Sequence, residues 1–457
     1  ITYFAPSPMR VLWYIFLLVL YYFSANEALW LAFFLATSDG FAGFFGLYAV
    51  TMTVLPGLPA VELLQLYILL TVIKSTVSRV RPLVFYKKYL EILFLYLIFM
   101  IVWGQMMGLT GELNVYFRVA KGVLPMFLFF SIPRLFVHQD TYTRLFHLVF
   151  VIVLVAFAAQ LFSLFTGIVP SEDIVTINGA GDNETDEFRV FFNSGSTLIG
   201  LFGAFYLLNI RKSSIANDLF LLTVVFIAFA MALLSATRGW ILGFGFIIIL
   251  TIAFTGVFKS RHFAIYAAIA TMIVIWAFRI PTVKDQVDYA WARVGTLKAI
   301  AEGDLTAEGT LHRLDVRSKN VMEGWKQNPI FGWGLSDNGY LYGDGHVGNQ
   351  CLLAMSGIIG FILLNGFLIY FMYKLFMLYF KSDWRLLGRR STLVFIMFLV
   401  GWFFIHSTSG QQFNYIGMPV KIIPQAVFFS FGAFRYEQSM KLMYGKKIRK
   451  GSSYLPG

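Results

Sequence analysis

The chain has 457 residues, of which 58% are hydrophobic and only 13% are charged. Soluble domains carry about 25% charged residues, so this composition excludes an ordinary soluble protein. The single cysteine, Cys351, excludes an intrachain disulfide and a cysteine-based metal cluster. The net charge of +12 does not indicate nucleic acid as a partner, because the basic residues gather in short loops between apolar runs, as in membrane proteins.

Apolar runs of about 20 residues recur along the chain, and this is the length that a helix needs to cross a bilayer. Residues 9–55 hold one span or two, because Ser24–Glu27 and Ser38–Gly40 interrupt the run. The later spans are predicted at roughly 59–77, 89–107, 118–137, 144–166, 195–210, 216–236, 239–258, 262–280, 352–380, 391–409 and 419–435. We therefore predict an all-α, polytopic membrane bundle of about twelve helices, with residues 1–457 as one domain.

The basic residues predict how the bundle is oriented. Every second loop is basic, and basic loops face the cytoplasm. These loops contain Arg79, Arg81, Lys87 and Lys88; Arg134 and Arg144; Arg211 and Lys212; Lys259 and Arg261; and Lys381, Arg385, Arg389 and Arg390. The basic C-terminal tail is therefore expected in the cytoplasm. The loops Gly108–Phe117, Gly167–Ser194, Thr237–Gly239 and Pro281–Gln350 are expected to face outward.

The longest outward segment, 281–350, is predicted to form a helical cap over the membrane. Apolar residues recur at helical spacing in 283–301 and in 310–327. Asn328-Pro329 and the turn Gly332–Gly334 are expected to end the second of these helices. We predict that this cap contributes part of an active site.

Arg238 lies between two long apolar runs, and no other charged residue occurs between Asp218 and Lys259. An arginine at the centre of a membrane costs about 2.5–3.5 kcal/mol and usually marks a functional site. Its guanidinium is planar, stays charged and suits phosphate. The sequence therefore predicts an integral membrane protein that binds a phosphorylated ligand. A role as a simple helix-end anchor is the alternative.

Other outward segments contain Arg189, Arg313, Arg317 and His346. Two arginines that face one pyrophosphate can neutralise it without a metal. A histidine, with an ordinary pKa of about 6.5, is suited to take a proton from an attacking hydroxyl. Structural roles stay open: Arg189 can pair with Glu187 or Asp186, Arg313 can pair with Asp315 or Glu323, and Arg317 and His346 can serve the local structure alone.

A metal site and a sugar-binding mouth are two further candidates. Asp337, Asp344 and His346 are potential metal ligands, but divalent-ion sites usually have more converging carboxylates. We therefore predict no metal and no other cofactor. The polar stretch His406–Gln412 closes the penultimate span. Its hydroxyls and amides either contact a saccharide or hydrate the end of a helix.

Several motifs in a fixed order resemble the superfamily of O-antigen ligases and O-antigen polymerases, which are bacterial envelope glycosyltransferases. The family's Asn-Pro-(apolar)-Phe-Gly-x-Gly element is similar to Asn328–Leu335. Its histidine then matches His346, and its Gly-Ile-x-Gly helix is similar to Leu352–Gly360. Ser235–Gly239 is similar to its Ser-x-x-Arg-Gly element, and Arg189–Asn193 is similar to its arginine region. The resemblance covers about residues 188–365.

The resemblance implies roles for individual residues. Arg238 and Arg313 would hold the pyrophosphate of an undecaprenyl-linked glycan, and His346 would activate the acceptor hydroxyl. Arg313 matches better than Arg317 by its distance before the Asn-Pro element. Transfer would then invert the anomeric configuration without a metal. Substrate-binding candidates are Arg189, Arg317, Asn349 and His406.

Two departures from the family pattern are present. Val347 follows His346 where the family has asparagine, so the role of that asparagine is lost or passes to Asn349. After Arg189, the family's Pro-Asn is replaced by residues near Ser196-Thr197.

The resemblance implies glycosyl transfer at the periplasmic face of the bacterial inner membrane, and the sequence does not show the acceptor. We expect a polymerase of undecaprenyl-pyrophosphate-linked glycan repeats, because polymerases are the more numerous and divergent members of the family. Its partners would be this donor, a second lipid-linked glycan as acceptor, and membrane lipids. An O-antigen ligase, with lipid A-core as acceptor, is the first alternative. A transporter of lipid-linked sugars or anions is the alternative from another class. The sequence leaves open whether a chain-length regulator binds.

Overall fold

The computed structural model places most of the chain in helices. It describes residues 7–38, 51–52, 61–78, 80, 82, 84–108, 116, 120, 122–167, 194–210, 214–256, 261–296, 298, 302–303, 316–344, 347–381, 388–408 and 419–452. Where neighbouring helices meet, their apolar side chains form one large buried cluster.

The helices of these residues are α1 Ser7–Phe23, α2 Glu27–Ser38, α3 Leu63–Val77, α4 Lys87–Met106, α5 Leu128–Leu135, α6 Gln139–Thr166, α7 Ser194–Ile210, α8 Ile215–Leu234, α9 Arg238–Thr255, α10 Arg261–Ala277, α11 Pro281–Gly295, α12 Ser318–Gln327, α13 Asp337–Tyr342, α14 Asn349–Lys381, α15 Arg389–Thr408 and α16 Pro419–Ser452. A 3-10 turn, Leu124–Phe127, precedes α5. Two short strands, β1 Thr51–Met52 and β2 Val61–Glu62, pair antiparallel with Thr51 opposite Glu62. The sequence did not predict this ladder.

Five helices of the described part, α4, α6, α8, α9 and α14, are long and apolar enough to cross a membrane. Helices α10 and α11 meet the same criterion together, although the chain bends by 105° between them. The prediction of a helical, membrane-type bundle is therefore confirmed by the length and composition of these helices. The number of spans and the periplasmic position of the cap stay predictions.

Helix α7 forms the centre of the bundle. Every side chain from Gly195 to Leu207 is buried, because α6, α8, α15 and α16 surround the helix. Two glycines let α6 approach closely: a Cβ at Gly203 would lie 2.7 Å from the Phe146 ring, and one at Gly200 would lie 2.9 Å from Val153. Residues at the start of α7 are thereby held in a fixed position.

The joint between α8 and α9 defines one end of the bundle, which we call the Arg238 end. Helix α6 ends here, since Leu164 packs against Leu234. Helix α7 begins here, since Thr197 Oγ1 lies 3.9 Å from Met231 Sδ. An apolar cleft near the start of α7 is also lined by residues close to the end of α15 and the start of α16. Arg389 at the start of α15 lies over the ring of Tyr379 near the end of α14, so these two helices run antiparallel. The first turn of α14 therefore lies at the Arg238 end too.

Helix α11 crosses the Arg238 end as a lid. The predicted span 262–280 ends as a helix at Ala277, and the next three residues form the 105° bend. Val287 then packs on Leu164 and Leu234, and Ala290 packs on Ala236. The first predicted cap helix, 283–301, is thus a helix over Pro281–Gly295.

Candidate functional site

A backbone conformation that is uncommon for its residue type positions Arg238. Ala236 is fully buried and has a φ of 49°, in the left-handed region that side chains other than glycine rarely adopt. This conformation costs an L-residue about 1–2 kcal/mol. Thr237 is extended, and Arg238 is the first residue of α9. The chain therefore reverses direction within two residues and places the guanidinium at the tip of the hairpin.

Two buried amides from other helices fix the same joint. The last carbonyls of a helix lack partners within the helix. Gln160 Nε2 of α6 donates to Met231 O at 3.0 Å, and Gln286 Nε2 of α11 donates to Leu234 O at 2.7 Å. The end of α8 is thus tied both to the bundle and to the lid.

Arg238 itself contacts the lid. It is half-buried, and its Nε donates to the backbone carbonyl of Arg293 near the end of α11. A guanidinium has five N–H donors in a rigid fork, so this bond restricts the orientation of the group. The predicted anion-binding arginine is therefore held at an end of the bundle by the lid, close to a second arginine that the sequence did not single out.

The Asn328–Leu335 motif has a structural role. Helix α14 is interrupted at Gly357, whose φ of 61° and ψ of −171° are not helical. The loop after α12 lies in this break and forms four backbone hydrogen bonds with it. These are Trp333 N to Ala354 O at 3.0 Å, Gly334 N to Met355 O at 2.8 Å, Ile358 N to Pro329 O at 2.9 Å, and Ile359 N to Ile330 O at 3.3 Å.

The motif's glycines are explained by this close approach. A Cβ at Gly332 would lie 2.6 Å from Ala354 O, and one at Gly357 would lie 2.1 Å from Ile330 O. Helix α4 supports the loop, because Trp103 Nε1 donates to Gly332 O at 2.9 Å and Tyr96 OH donates to Ser356 O at 2.6 Å. The carbonyls freed by the break are therefore satisfied by protein groups.

Polar groups gather where α12 meets the start of α14. Arg317 Nε lies 3.7 Å from Asp344 Oδ2, and Ser318 Oγ donates to Gln350 Oε1 at 2.6 Å. Asn349 Oδ1 is buried and has no hydrogen-bond partner within the described part of the chain. Two predicted substrate-binding residues, Arg317 and Asn349, therefore lie where α12 meets the start of α14.

Four predicted site residues are not located by the structure. His346, Arg313 and Arg189 lie outside the described residues. His406 belongs to α15, but its side chain is outside the description. Convergence of Arg238, Arg313 and His346 on one cavity thus stays a prediction.

An apolar cleft lies among α7, α15 and α16, near the Arg238 end. Its lining residues include Leu198 and Phe202 of α7, Trp402 of α15, and Pro424 and Phe428 of α16. Its lining is almost wholly aliphatic and aromatic, and these side chains are buried in the packing of the three helices. In the described part of the chain, no three His, Cys, Asp or Glu side chains group together.

Sequence reasoning missed Arg293, Gln160 and Gln286. A signal for Gln160 was present, because a polar side chain within an apolar run usually has a specific partner. Gln286 and Arg293 lie on an amphipathic helix, where polar residues are expected on the exposed face. Only the packing of α11 shows that both face the joint.

No protein-family model matches this chain, and no curated protein matches it significantly. The family resemblance therefore depends on the motifs alone, and the activity that it implies is a proposal.

Proposed function

We propose that the chain is a metal-independent glycosyltransferase that polymerises undecaprenyl-pyrophosphate-linked glycan repeats at the periplasmic face of a bacterial inner membrane. The observation that carries the proposal is Arg238. It lies at the tip of two apolar helices, half-buried, with its guanidinium oriented by the Arg293 carbonyl. A charged, oriented fork at the edge of a membrane suits a pyrophosphate headgroup.

The lipid part of the donor is implied by the resemblance alone, because members of that family take their glycan from undecaprenyl pyrophosphate.

The transfer step follows from the resemblance. The acceptor hydroxyl oxygen attacks the anomeric carbon of the donor, and its proton passes to His346. The bond between the anomeric carbon and the pyrophosphate oxygen breaks, and undecaprenyl pyrophosphate leaves with the electron pair. Arg238 and Arg313 stabilise the charge that develops on this leaving group.

The break in α14 favours a transporter at first sight, because broken helices often form ion and substrate sites in transporters. The loop at Gly332–Gly334 argues against that role. Its amides occupy Ala354 O and Met355 O, so these carbonyls are already engaged. We therefore retain the enzyme as the better proposal and the transporter as its competitor.

The decisive experiment is transfer by the purified protein in liposomes. An undecaprenyl-pyrophosphate glycan is offered alone and then together with lipid A-core, and products are separated on a gel. A ladder from the donor alone establishes a polymerase. One shifted band that requires lipid A-core establishes a ligase instead. No product in either arm, with uptake of lipid-linked sugar, would establish the transporter.

Arg238→Ala should lower kcat/KM by about a hundredfold or more, the usual effect of removing one donor to a developing charge. Arg238→Lys should recover only part of the activity, because an ammonium lacks the fork. His346→Ala should abolish transfer. Arg279→Ala is the matched control, since Arg279 is exposed at the α10–α11 bend. Wild-type activity of Arg238→Ala would refute the assigned role.

A further inference from the structure

The second arginine at the joint, Arg293, has no role in the family pattern described above. It lies in the last turn of α11, next to Ala290 and Val294, which pack on Ala236 and Ile241. Its backbone carbonyl accepts the hydrogen bond from Arg238 Nε. The Arg238 guanidinium therefore contacts the backbone of the residue that carries the second guanidinium.

The Arg293 guanidinium is oriented by a neighbouring tyrosine. Its Nη1 donates to Tyr289 OH at 2.8 Å, and its Cζ lies 5.6 Å from the centre of the Tyr289 ring. The contact restricts rotation of the long side chain. An arginine that is already ordered loses less entropy when it binds a ligand.

One donor of this group lacks an acceptor. Arg293 Nε is buried and has no hydrogen-bond partner among the described residues. The ion pairs of the same residues do not include Arg293, and its helix neighbour Asp288 pairs with Lys284. A buried, charged donor without an acceptor is costly, so an acceptor supplied by a ligand would stabilise this guanidinium.

We propose that Arg293 binds one phosphoryl group of the lipid pyrophosphate while Arg238 binds the other, an inference that rests on the proposed function. Arg238 contacts the backbone of Arg293, so one doubly charged anion can bind to both guanidinium groups. Pyrophosphate has two phosphoryl groups, each with oxygens for a guanidinium fork. The lid helix α11 would thus contribute directly to recognition of the donor.

The test measures lipid binding without any glycan or acceptor. Wild-type protein and Arg293→Gln are compared by native mass spectrometry with undecaprenyl pyrophosphate and with undecaprenyl monophosphate. Arg293→Gln should weaken binding of the pyrophosphate about tenfold to a hundredfold, as expected for one hydrogen bond to a charged group. It should weaken binding of the monophosphate much less, because Arg238 still holds a single phosphate.

Matched variants separate recognition from folding. Every substitution at position 293 keeps the backbone carbonyl that Arg238 contacts. Arg293→Lys should bind the pyrophosphate with intermediate affinity, and Tyr289→Phe should cause a smaller loss than Arg293→Gln. Arg279→Gln, an exposed arginine on the α10–α11 bend, should bind as the wild type does.

Two results would overturn the proposal. In the first, Arg293→Gln binds undecaprenyl pyrophosphate as tightly as the wild type does but melts at a lower temperature. Arg293 would then stabilise the fold through an ion pair within the chain. The second is equal competition by inorganic pyrophosphate, which would make a free anion the ligand. A wild type that binds the lipid but transfers no glycan refutes the proposed function and leaves the role of Arg293 intact.

Discussion

Gly357→Ala tests whether the break in α14 is a fixed part of the fold. The φ and ψ of Gly357, 61° and −171°, lie in a region that is essentially restricted to glycine. An added Cβ would lie 2.1 Å from Ile330 O and 2.6 Å from Gly332 N. Both contacts are with backbone atoms, so they cannot be relieved by rotating a side chain.

The cost of this substitution follows from two contributions. Holding a residue other than glycine in this region costs about 1–3 kcal/mol. Displacement of the loop breaks at least the bonds of Ile358 N and Ile359 N to Pro329 O and Ile330 O, each with a net value of about 1 kcal/mol. We therefore expect a loss of about 3–5 kcal/mol in the free energy of unfolding.

The assay is thermal unfolding of the purified protein in detergent, followed by tryptophan fluorescence, with glycan transfer measured in parallel. Gly245→Ala in α9 is the matched control, because its Cβ would make only an ordinary contact of 3.5 Å with Phe229. It should leave the melting temperature unchanged or raise it slightly, since alanine favours helix. A Gly357→Ala protein that melts as the wild type does would show that α14 is continuous, and the reasoning would be wrong.

Two further predictions concern buried polar groups. Gln286→Ala removes the 2.7 Å bond to Leu234 O, and it should raise hydrogen exchange in Pro281–Gly295 relative to Gln327→Ala on the exposed end of α12. Lys74 Nζ lies 2.5 Å from the buried carboxylate of Glu27. Lys74→Met removes this cation and should lower the free energy of unfolding by about 3–5 kcal/mol. The double variant Lys74→Met with Glu27→Leu should recover most of this loss, because no charge is then left buried. Equal melting of the single and double variants would contradict the ion-pair argument.

Much of the helical architecture could be predicted because the thickness of a bilayer fixes the length of apolar runs. The predicted span 89–107 corresponds to α4, Lys87–Met106, and the predicted span 239–258 corresponds to α9, Arg238–Thr255. The position of Arg238 at a helix joint was also predicted, since one charge within a long apolar region has few other stable positions.

The break at Gly357 and the bend after Ala277 could not be predicted from hydropathy. Residues 352–380 are mostly apolar, so their pattern predicts one continuous helix. The interruption depends on hydrogen bonds from the loop after α12, which precedes this helix in the sequence. The bend likewise lies inside the predicted span 262–280. Tertiary contacts, rather than local preference, determine both features.

The Asn328–Leu335 motif, on which the resemblance depends most, therefore serves mainly to hold the loop against α14. Asn328 Nδ2 donates to Gly332 O at 2.7 Å, and the glycines of the loop are required by their approach to α14. A protein could preserve this element for its fold and have another activity. The chemistry at Arg238 and Arg293 does not follow from that element, because the lid helix orients these groups. The arginines, rather than the glycine motif, are consequently the residues whose substitution tests whether the chain binds a pyrophosphate, and the transfer assay tests whether it is a glycosyltransferase.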